Sequence, residues 1–307
     1  MDDRNPLVPV IVGPTAVGKT AVAMALARLR QIVVISADSR QIYRGLDIGT
    51  AKPTPEQLSL VPHYGIDIVD PGERYSAGQF AAAGAEWLAS LKHGISAIVV
   101  GGTGFYVRAL ADGLFEEPPI DSWRREKLRR WATNAGRLGH WASRLDPCYS
   151  GGGRQRAART VEVALLTGQP LSWWQARAKT HGAMRPFYVR LTLPRSVLHD
   201  RIESRTLNML ASGLVAEVDR MLASGVSSDA RGLDAVGYRE VVRHLEGDLE
   251  ESNLAEAIII ATRKYAKRQE TWFRHQLPAR NVVTLDATTA SDALAERIAE
   301  LWDEQAN

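Results

Sequence analysis

Residues 7–20 constrain this chain more tightly than any other stretch. Leu7 to Val12 form a short apolar run, the pattern of a strand buried in a parallel sheet. Gly13-Pro14-Thr15-Ala16-Val17-Gly18-Lys19-Thr20 follows at once and fits G-x-x-x-x-G-K-[ST], and residues 18–29 read as a helix rich in Ala, Leu and Val. The glycines permit a loop tight enough to aim successive backbone N–H groups at one anion, and the helix start adds positive potential there. Lys19 would bring a point charge to a terminal phosphate, and the Thr20 hydroxyl could ligate Mg²⁺. A chance match in a glycine-containing turn would lack this strand–loop–helix context.

The rest of the pattern extends that unit into an α/β fold. Ile32 to Ser36 and Ala97 to Val100 read as further strands, with a helix near 77–92 that starts at about Ser76. Strands alternating with helices at this spacing argue for a parallel sheet. From Asp121 the strand signals stop: 122–145 and 154–180 have helical spacing, separated by Asp146-Pro147 and Gly151-Gly152-Gly153. Tyr188 to Leu193 restores a strand, 196–245 and 253–275 are helical, and Val282 to Leu285 is a strand before an amphipathic helix. The expected architecture is a P-loop parallel-sheet core flanked by helices, with an all-helical insertion. Residues 1–120 begin the core, 121–187 form the insertion, and 188–307 complete the core with basic C-terminal helices.

Charge sets that insertion apart. Residues 121–190 hold 14 Lys/Arg against 4 Asp/Glu, a surplus of +10 in a chain whose total is +3, and carry Trp123, Trp131, Trp141, Trp173 and Trp174, five of its eight tryptophans. A basic, aromatic surface suits a polyanion with stackable rings, meaning nucleic acid. A solvated arginine-rich helical region with tryptophans filling its core has the same composition. Trp173-Trp174 beside Gly168-Gln169-Pro170 reads as helix packing, and the Leu, Met and Val stripe at 207–222 reads as core.

The phosphate that the cradle serves is a separate question. An ordinary P-loop ATPase or GTPase ends a second apolar strand with a magnesium-binding aspartate. Here Ala97 to Val100 runs into Gly101-Gly102-Thr103-Gly104, without an acid, and the guanine-reading Asn-Lys-x-Asp is missing. The cradle therefore fits a diphosphate that leaves, rather than a nucleotide giving up its γ-phosphate. Asp38 stands just past the carboxyl end of the second strand, the edge that lines the ligand crevice in open α/β sheets. A carboxylate there could take a proton from an attacking nucleophile, or simply cap the following turn.

Further blocks then occur in order. They are Ser36-Ala37-Asp38-Ser39-Arg40-Gln41-Ile42-Tyr43, Asp47-Ile48-Gly49-Thr50-Ala51-Lys52-Pro53, Val100-Gly101-Gly102-Thr103-Gly104, Ala235-Val236-Gly237-Tyr238-Arg239-Glu240 and Ala266-Lys267-Arg268-Gln269-Glu270-Thr271-Trp272-Phe273-Arg274. With the cradle, and over about residues 7–280, this set resembles the tRNA dimethylallyltransferases, also called tRNA isopentenyltransferases. Members of that family move a prenyl group from dimethylallyl diphosphate to N6 of the adenosine immediately 3′ of the anticodon. The resemblance implies that residues 16–20 hold the diphosphate with Mg²⁺, that Arg205 assists, and that Asp38 faces the adenine amine. It puts Thr103 and Arg125 near the reacting centre. It puts Ser39, Arg40, Gln41, Gln155, Arg156, Ala157, Ala158, Arg159, residues 235–240 and residues 267–274 along the tRNA anticodon stem–loop. The chain departs from the family pattern where an Ile-His-Pro-Asn-Asp-like segment is usual and only Cys148 to Arg154 stand here. It departs again at Arg159-Thr160-Val161-Glu162, where Arg-Ala-Leu-Glu is usual.

Other readings of the residues are a small-molecule or nucleotide kinase that loads ATP in the same loop, and a non-catalytic RNA-binding NTP switch. The missing strand-end acid and the basic tryptophan-rich segment disfavour the first, and Asp38 beside the cradle disfavours the second. One cysteine, Cys148, excludes an internal disulfide. The acidic N-terminus, unlike a signal peptide, and the absence of an eighteen-residue apolar run fit a cytoplasmic protein away from membranes. His63, His93, His140, His181, His199, His244 and His275 have no ligand spacing, and no apolar seam calls for a second subunit, so a monomer is expected.

Overall fold

The computed structural model describes residues 5–114, 120–177 and 182–306. In chain order its elements begin β1 (Leu7–Val12), α1 (Lys19–Leu29), β2 (Ile32–Ser36), α2 (Pro55–Leu60), β3 (His63–Tyr64), α3 (Ala77–Ala89), β4 (Ser96–Gly101) and α4 (Gly104–Asp112). Four helices follow: α5 (Ser122–Asn134), α6 (Leu138–Leu145), α7 (Arg154–Thr167) and α8 (Leu171–Ala176). The chain ends with β5 (Arg185–Thr192), α9 (Arg195–Ala211), α10 (Leu214–Ala223), α11 (Tyr238–Leu245), α12 (Glu251–Gln276), β6 (Val282–Asp286) and α13 (Ser291–Ala306). Two compact units result, one from Met1–Ala111 with Gly182–Asn307 and one from Asp112–His181.

The first unit is built on a six-stranded sheet in the order β3-β2-β4-β1-β5-β6, with every neighbouring pair parallel. β1 sits centrally, Val10 pairing with Val99 on one side and Tyr188 on the other, which is why residues 8–12 are apolar without alternation. On one face, α1 and α13 close over the strands. Val22, Leu26, Leu294, Ile298 and Trp302 join Ile11, Val34, Ile98 and Val189 in one core. α3 begins with a capping box, the Ser76 hydroxyl accepting the Gln79 N–H, as the sequence leads one to expect.

Long helical readings break where glycine or a left-handed residue interrupts them. The span 122–145 divides at Arg137, whose φ is +55°, and 154–180, of which 178–180 lie outside the described residues, divides at Gly168 (φ +72°) before Pro170. The span 196–245 becomes three helices, parted at Gly213 and by a loop over 224–237. β5 starts at Arg185, inside the stretch read as insertion, and the second compact unit spans Asp112–His181. Within the stripe at 207–222, Leu214, Val218 and Met221 are core, but Leu207 is exposed. No described helix is long and apolar enough to cross a membrane.

Candidate active site

The cradle is strained as its motif requires. Ala16 adopts a left-handed φ of +64°, and Gly18, with φ +107°, is the N-cap of α1 without a side-chain cap. The first N–H groups of a helix have no intrahelical partner, so an uncapped start leaves donors for an anion. Lys19 folds back over the loop, its Nζ donating to the Gly13 carbonyl at 3.0 Å and the Pro14 carbonyl at 2.8 Å. Burial lowers its pKa to about 8; Asp38 opposes the shift and Arg205 adds to it. Burial likewise lowers Arg205, again opposed by Asp38. Lys19, Arg205 and Asp38 thus share one electrostatic environment.

Asp38 stands beyond β2, and its Oδ1 accepts the Arg40 N–H at 2.8 Å, so it does cap the local turn. That bond also fixes the carboxylate, which retains acceptor capacity. Thr103 at the end of β4 joins the same edge. Its Oγ accepts the Ser39 N–H at 3.0 Å and donates to the Ser39 hydroxyl at 3.2 Å. Tyr265 on α12 reaches the Thr103 side chain; burial and then Asp38 push its pKa above the ordinary phenol range.

α12 also reaches the cradle itself. Gln269, buried at 6% exposure, accepts the Thr15 N–H at 2.8 Å and donates to the Gly102 carbonyl at 3.0 Å. A Cβ on Gly102 would meet the Gln269 amide at 2.2 Å, and one on Gly104 would meet the Trp272 ring at 2.2 Å. The Gly-Gly-Thr-Gly run is therefore a surface shaped to receive α12. Opposite, the Gly49–Ala51 wall is fixed from behind. Glu217 accepts N–H groups of Asp47 (3.2 Å) and Ile48 (2.9 Å), while the Tyr238 hydroxyl donates to Glu217 and accepts the Gly49 N–H at 3.0 Å.

Together these parts enclose a cavity of about 510 Å³ within the first unit. Lys19, Thr20, Arg205, Asp38 and Arg268 line it beside Ile202, Met209 and Ile258, so one chamber offers an anion cradle, a carboxylate and apolar wall.

Several residues expected along an RNA face inward instead. Ala157, Ala235, Tyr238, Glu240, Gln269 and Phe273 are buried. Gly237 is buried at the start of α11, and Trp272 packs on Gly104. Gln41 accepts from the Ser36 hydroxyl and donates to the Thr50 and Ala51 carbonyls, a brace rather than an outward contact. Arg40 is held by the Arg231 carbonyl at 2.7 Å. The exposed positions are Gln155, Arg156, Arg239, Lys267, Arg268, Thr271 and Arg274, with Ala158, Arg159, Val236 and Glu270 partly so. The reason is periodicity: residues 266–274 make over two helical turns, so only one face can look outward. That spacing was legible in advance; the Glu217–Tyr238 link was not.

In the helical unit, Ala132, Leu138, Ala142, Ala157 and Val161 form a small core. Trp123, Trp131 and Trp141 are exposed, so these three do not fill it. Trp173 and Trp174 pack edge-to-face at 5.0 Å, and the Trp174 indole donates to Thr167. Arg125 and Arg159 both face Glu162. His181 lies outside the described residues; among those described, no group of three or more His, Cys, Asp or Glu could hold a metal.

Comparison with known proteins agrees with this layout. A family model described as IPP transferase matches residues 41–276, and one described as isopentenyl transferase matches residues 6–66. The tRNA dimethylallyltransferase 1 of Trichlorobacter lovleyi is 42% identical over 298 residues, covering 94% of this chain and 96% of that one. The tRNA dimethylallyltransferase of Stenotrophomonas maltophilia is 39% identical, covering 91% and 92%. The crystal structure of a tRNA isopentenylpyrophosphate transferase from Bacillus halodurans aligns with a TM-score of 0.72 at 31% identity, over 99% of this chain and 98% of that one. A eukaryotic dimethylallyltransferase, whose structures capture it acting on tRNA, shares the fold with a TM-score of 0.78 at 24% identity, over 92% and 74%.

Proposed function

The chain belongs to the IPP transferase family, and from that membership we propose that it is a tRNA dimethylallyltransferase. It transfers the dimethylallyl group of dimethylallyl diphosphate to N6 of the adenosine immediately 3′ of the anticodon and releases diphosphate. The supporting observation is that cradle, Arg205 and Asp38 line a single cavity with an apolar wall. Against a kinase, β4 ends in Gly101 without the magnesium-binding acid that an ordinary P-loop phosphotransferase places there.

The chemistry follows from charge. As the bond between C1 and the diphosphate oxygen breaks, positive charge spreads over the allylic chain and negative charge gathers on the leaving group. The open N–H groups of α1, Lys19 and Arg205 are aimed at that charge before it forms; removing one such donor typically costs on the order of 10²–10³ in rate. An adenine amine is too weak an acid to be deprotonated beforehand. Asp38 therefore orients N6 by accepting its hydrogen bond and takes the proton as the N6–C1 bond forms. Thr103 and Ser39 hold the strand edge beside it. The base must leave its stack to enter, which a single-stranded loop makes cheap.

Thr20, lining the cavity at the start of α1, suits an ion that keeps several waters and is held mainly by substrate phosphates, as Mg²⁺ commonly is. Bound there, Mg²⁺ would offset diphosphate charge. RNA contact falls to the outward residues Arg239, Lys267, Arg268, Thr271 and Arg274 of the first unit, and to Gln155, Arg156 and Arg159 of the helical unit. The same reading gives a monomeric enzyme at work in the cytoplasm; light scattering at a mass well above 33.7 kDa would remove the monomer.

Incubation with labelled dimethylallyl diphosphate and tRNA should transfer label to the RNA, whereas ATP consumption without transfer would favour the kinase. Asp38→Asn should bind tRNA normally and lose most turnover. Near-normal turnover in that variant would remove Asp38 from its role.

A further inference from the structure

Two cavities of the first unit meet along α9. The site cavity is lined by Ile202 and Thr206 of that helix, and a second cavity of about 820 Å³ by Ser204, Asn208 and Ser212. Among the described residues, Ala51, Arg201, Arg205 and Met209 line both. Arg201, Arg205 and Met209 recur every four positions, so they form one ridge along α9. Ala51, from the Gly49–Ala51 wall, is the remaining member of the partition.

The members of this partition differ in what else they do. Arg201 is tied down, donating to the Val17 and Ala287 carbonyls, each at 3.2 Å. Arg205 attends the diphosphate, and Ala51 has only a methyl group to offer. Met209 is the long apolar side chain among them, and it is partly buried. It stands one turn, about 6 Å of helix rise, beyond Arg205, which is comparable to the length of a five-carbon chain. Ile202 and Ile258, 1% and 2% exposed, supply buried apolar sides to the same chamber. On the far side of the ridge, Ile48, Pro53 and Leu58 continue the apolar lining into the second cavity.

We propose that Met209 is a specificity-determining residue that sets the length of the prenyl chain this protein accepts. It ends the chamber behind a five-carbon tail and shuts a longer one out of the second cavity. The proposal rests on the tRNA dimethylallyltransferase reading above. With the diphosphate held by Lys19 and Arg205, the tail follows the apolar side of α9 toward Met209. Burial alone would favour a longer chain, because every added methylene gains by leaving water. Rejection therefore needs a side chain in the way. An unbranched thioether adapts its shape to a small tail while still filling the gap.

The full chain is incubated with tRNA and an equimolar mixture of dimethylallyl and geranyl diphosphates, and the modified nucleosides are separated by mass. Wild type should give almost entirely the five-carbon product. Met209→Ala should raise the ratio of ten-carbon to five-carbon product by about tenfold or more, the scale on which apolar pockets discriminate by size. Leu58→Trp, added to Met209→Ala, refills the second cavity and should return the ratio toward wild type. An unchanged ratio in Met209→Ala overturns the proposal, and so does a rise that Leu58→Trp leaves untouched. If Met209→Ala fails to melt cooperatively, the milder truncation Met209→Val decides: its ratio should still rise, and an unchanged one overturns the proposal. Wild-type protein is assayed first with dimethylallyl diphosphate alone. Failure to prenylate tRNA there would sink the reaction itself, whereas normal transfer with an unaltered Met209→Ala ratio sinks only the role of the ridge.

Discussion

Gln269 and Thr15 lie 254 positions apart, yet the Gln269 side-chain oxygen accepts the Thr15 backbone N–H at 2.8 Å. The other end of the same amide donates to the Gly102 carbonyl. One buried side chain thus ties the phosphate loop to the end of β4, where Thr103 meets Ser39.

Replacing Gln269 by Ala orphans the buried Gly102 carbonyl, at a cost of about 1–3 kcal/mol where no water takes over, and the partly buried Thr15 N–H at a lower cost. The expected result is a lower Tm together with a raised KM for the prenyl donor. If Gln269 instead served the RNA, its loss would raise KM for tRNA and leave Tm in place. Chemical denaturation and steady-state kinetics on the same preparation separate the two.

Lys19 links donor binding to pH. With a pKa of about 8 in the free protein, the ammonium is protonated below that value and lost above it, while bound diphosphate would hold the proton on. Donor affinity should therefore fall as pH rises through about 8, and Lys19→Arg, charged throughout, should flatten that inflection even if its affinity is poorer. The sign for stability is the reverse. Because the folded pKa lies below the ordinary 10.5, the unliganded protein should gain stability from about 8 to 10.5, where the unfolded chain binds the proton and the folded one does not. Donor KM across a pH series and urea melts at matching pH check both.

Gly104→Ala opposes two local effects. Alanine favours a helix by about 1 kcal/mol over glycine in an interior position, less at a first turn such as this. The added Cβ would stand 2.2 Å from the Trp272 ring, a rigid group, and overpacking typically costs about 1–3 kcal/mol. The clash should win, lowering Tm and disturbing α12. A stabilised variant would mean that Trp272 moves aside freely.

Glu217 and Tyr238 should be energetically coupled. Glu217→Gln and Tyr238→Phe each remove part of the network that holds Asp47, Ile48 and Gly49. Each should destabilise by about 1–3 kcal/mol, and the double variant should lose clearly less than the sum. A double-mutant cycle by denaturant unfolding measures the difference; additive losses would mean that the two residues act separately.

Much of the architecture was readable because it repeats at short range. The apolar runs of β1, β2 and β4 mark buried parallel strands, the glycines of residues 13–18 mark a loop that few other residues could follow, and Asp38 lies two residues past a strand end. These depend on neighbours in the chain, so the chain displays them. The helix break at Arg137 and the two-residue strand β3 carry weaker local signals, and Gly213, though a glycine, sits within a stripe that otherwise reads as continuous helix.

The sequence by itself determined the phosphate cradle, the parallel sheet and the candidates for its edge, because steric and periodic rules act within a few residues. Only the tertiary structure decided which of those candidates look outward and which brace the site. Gln269 turned out to hold Thr15, Gln41 to brace Thr50, and Glu217 to anchor a loop 170 positions away. A buried amide or carboxylate takes its meaning from the partner that desolvation obliges it to find, and that partner is chosen by how helices and strands pack, not by its neighbours in the chain.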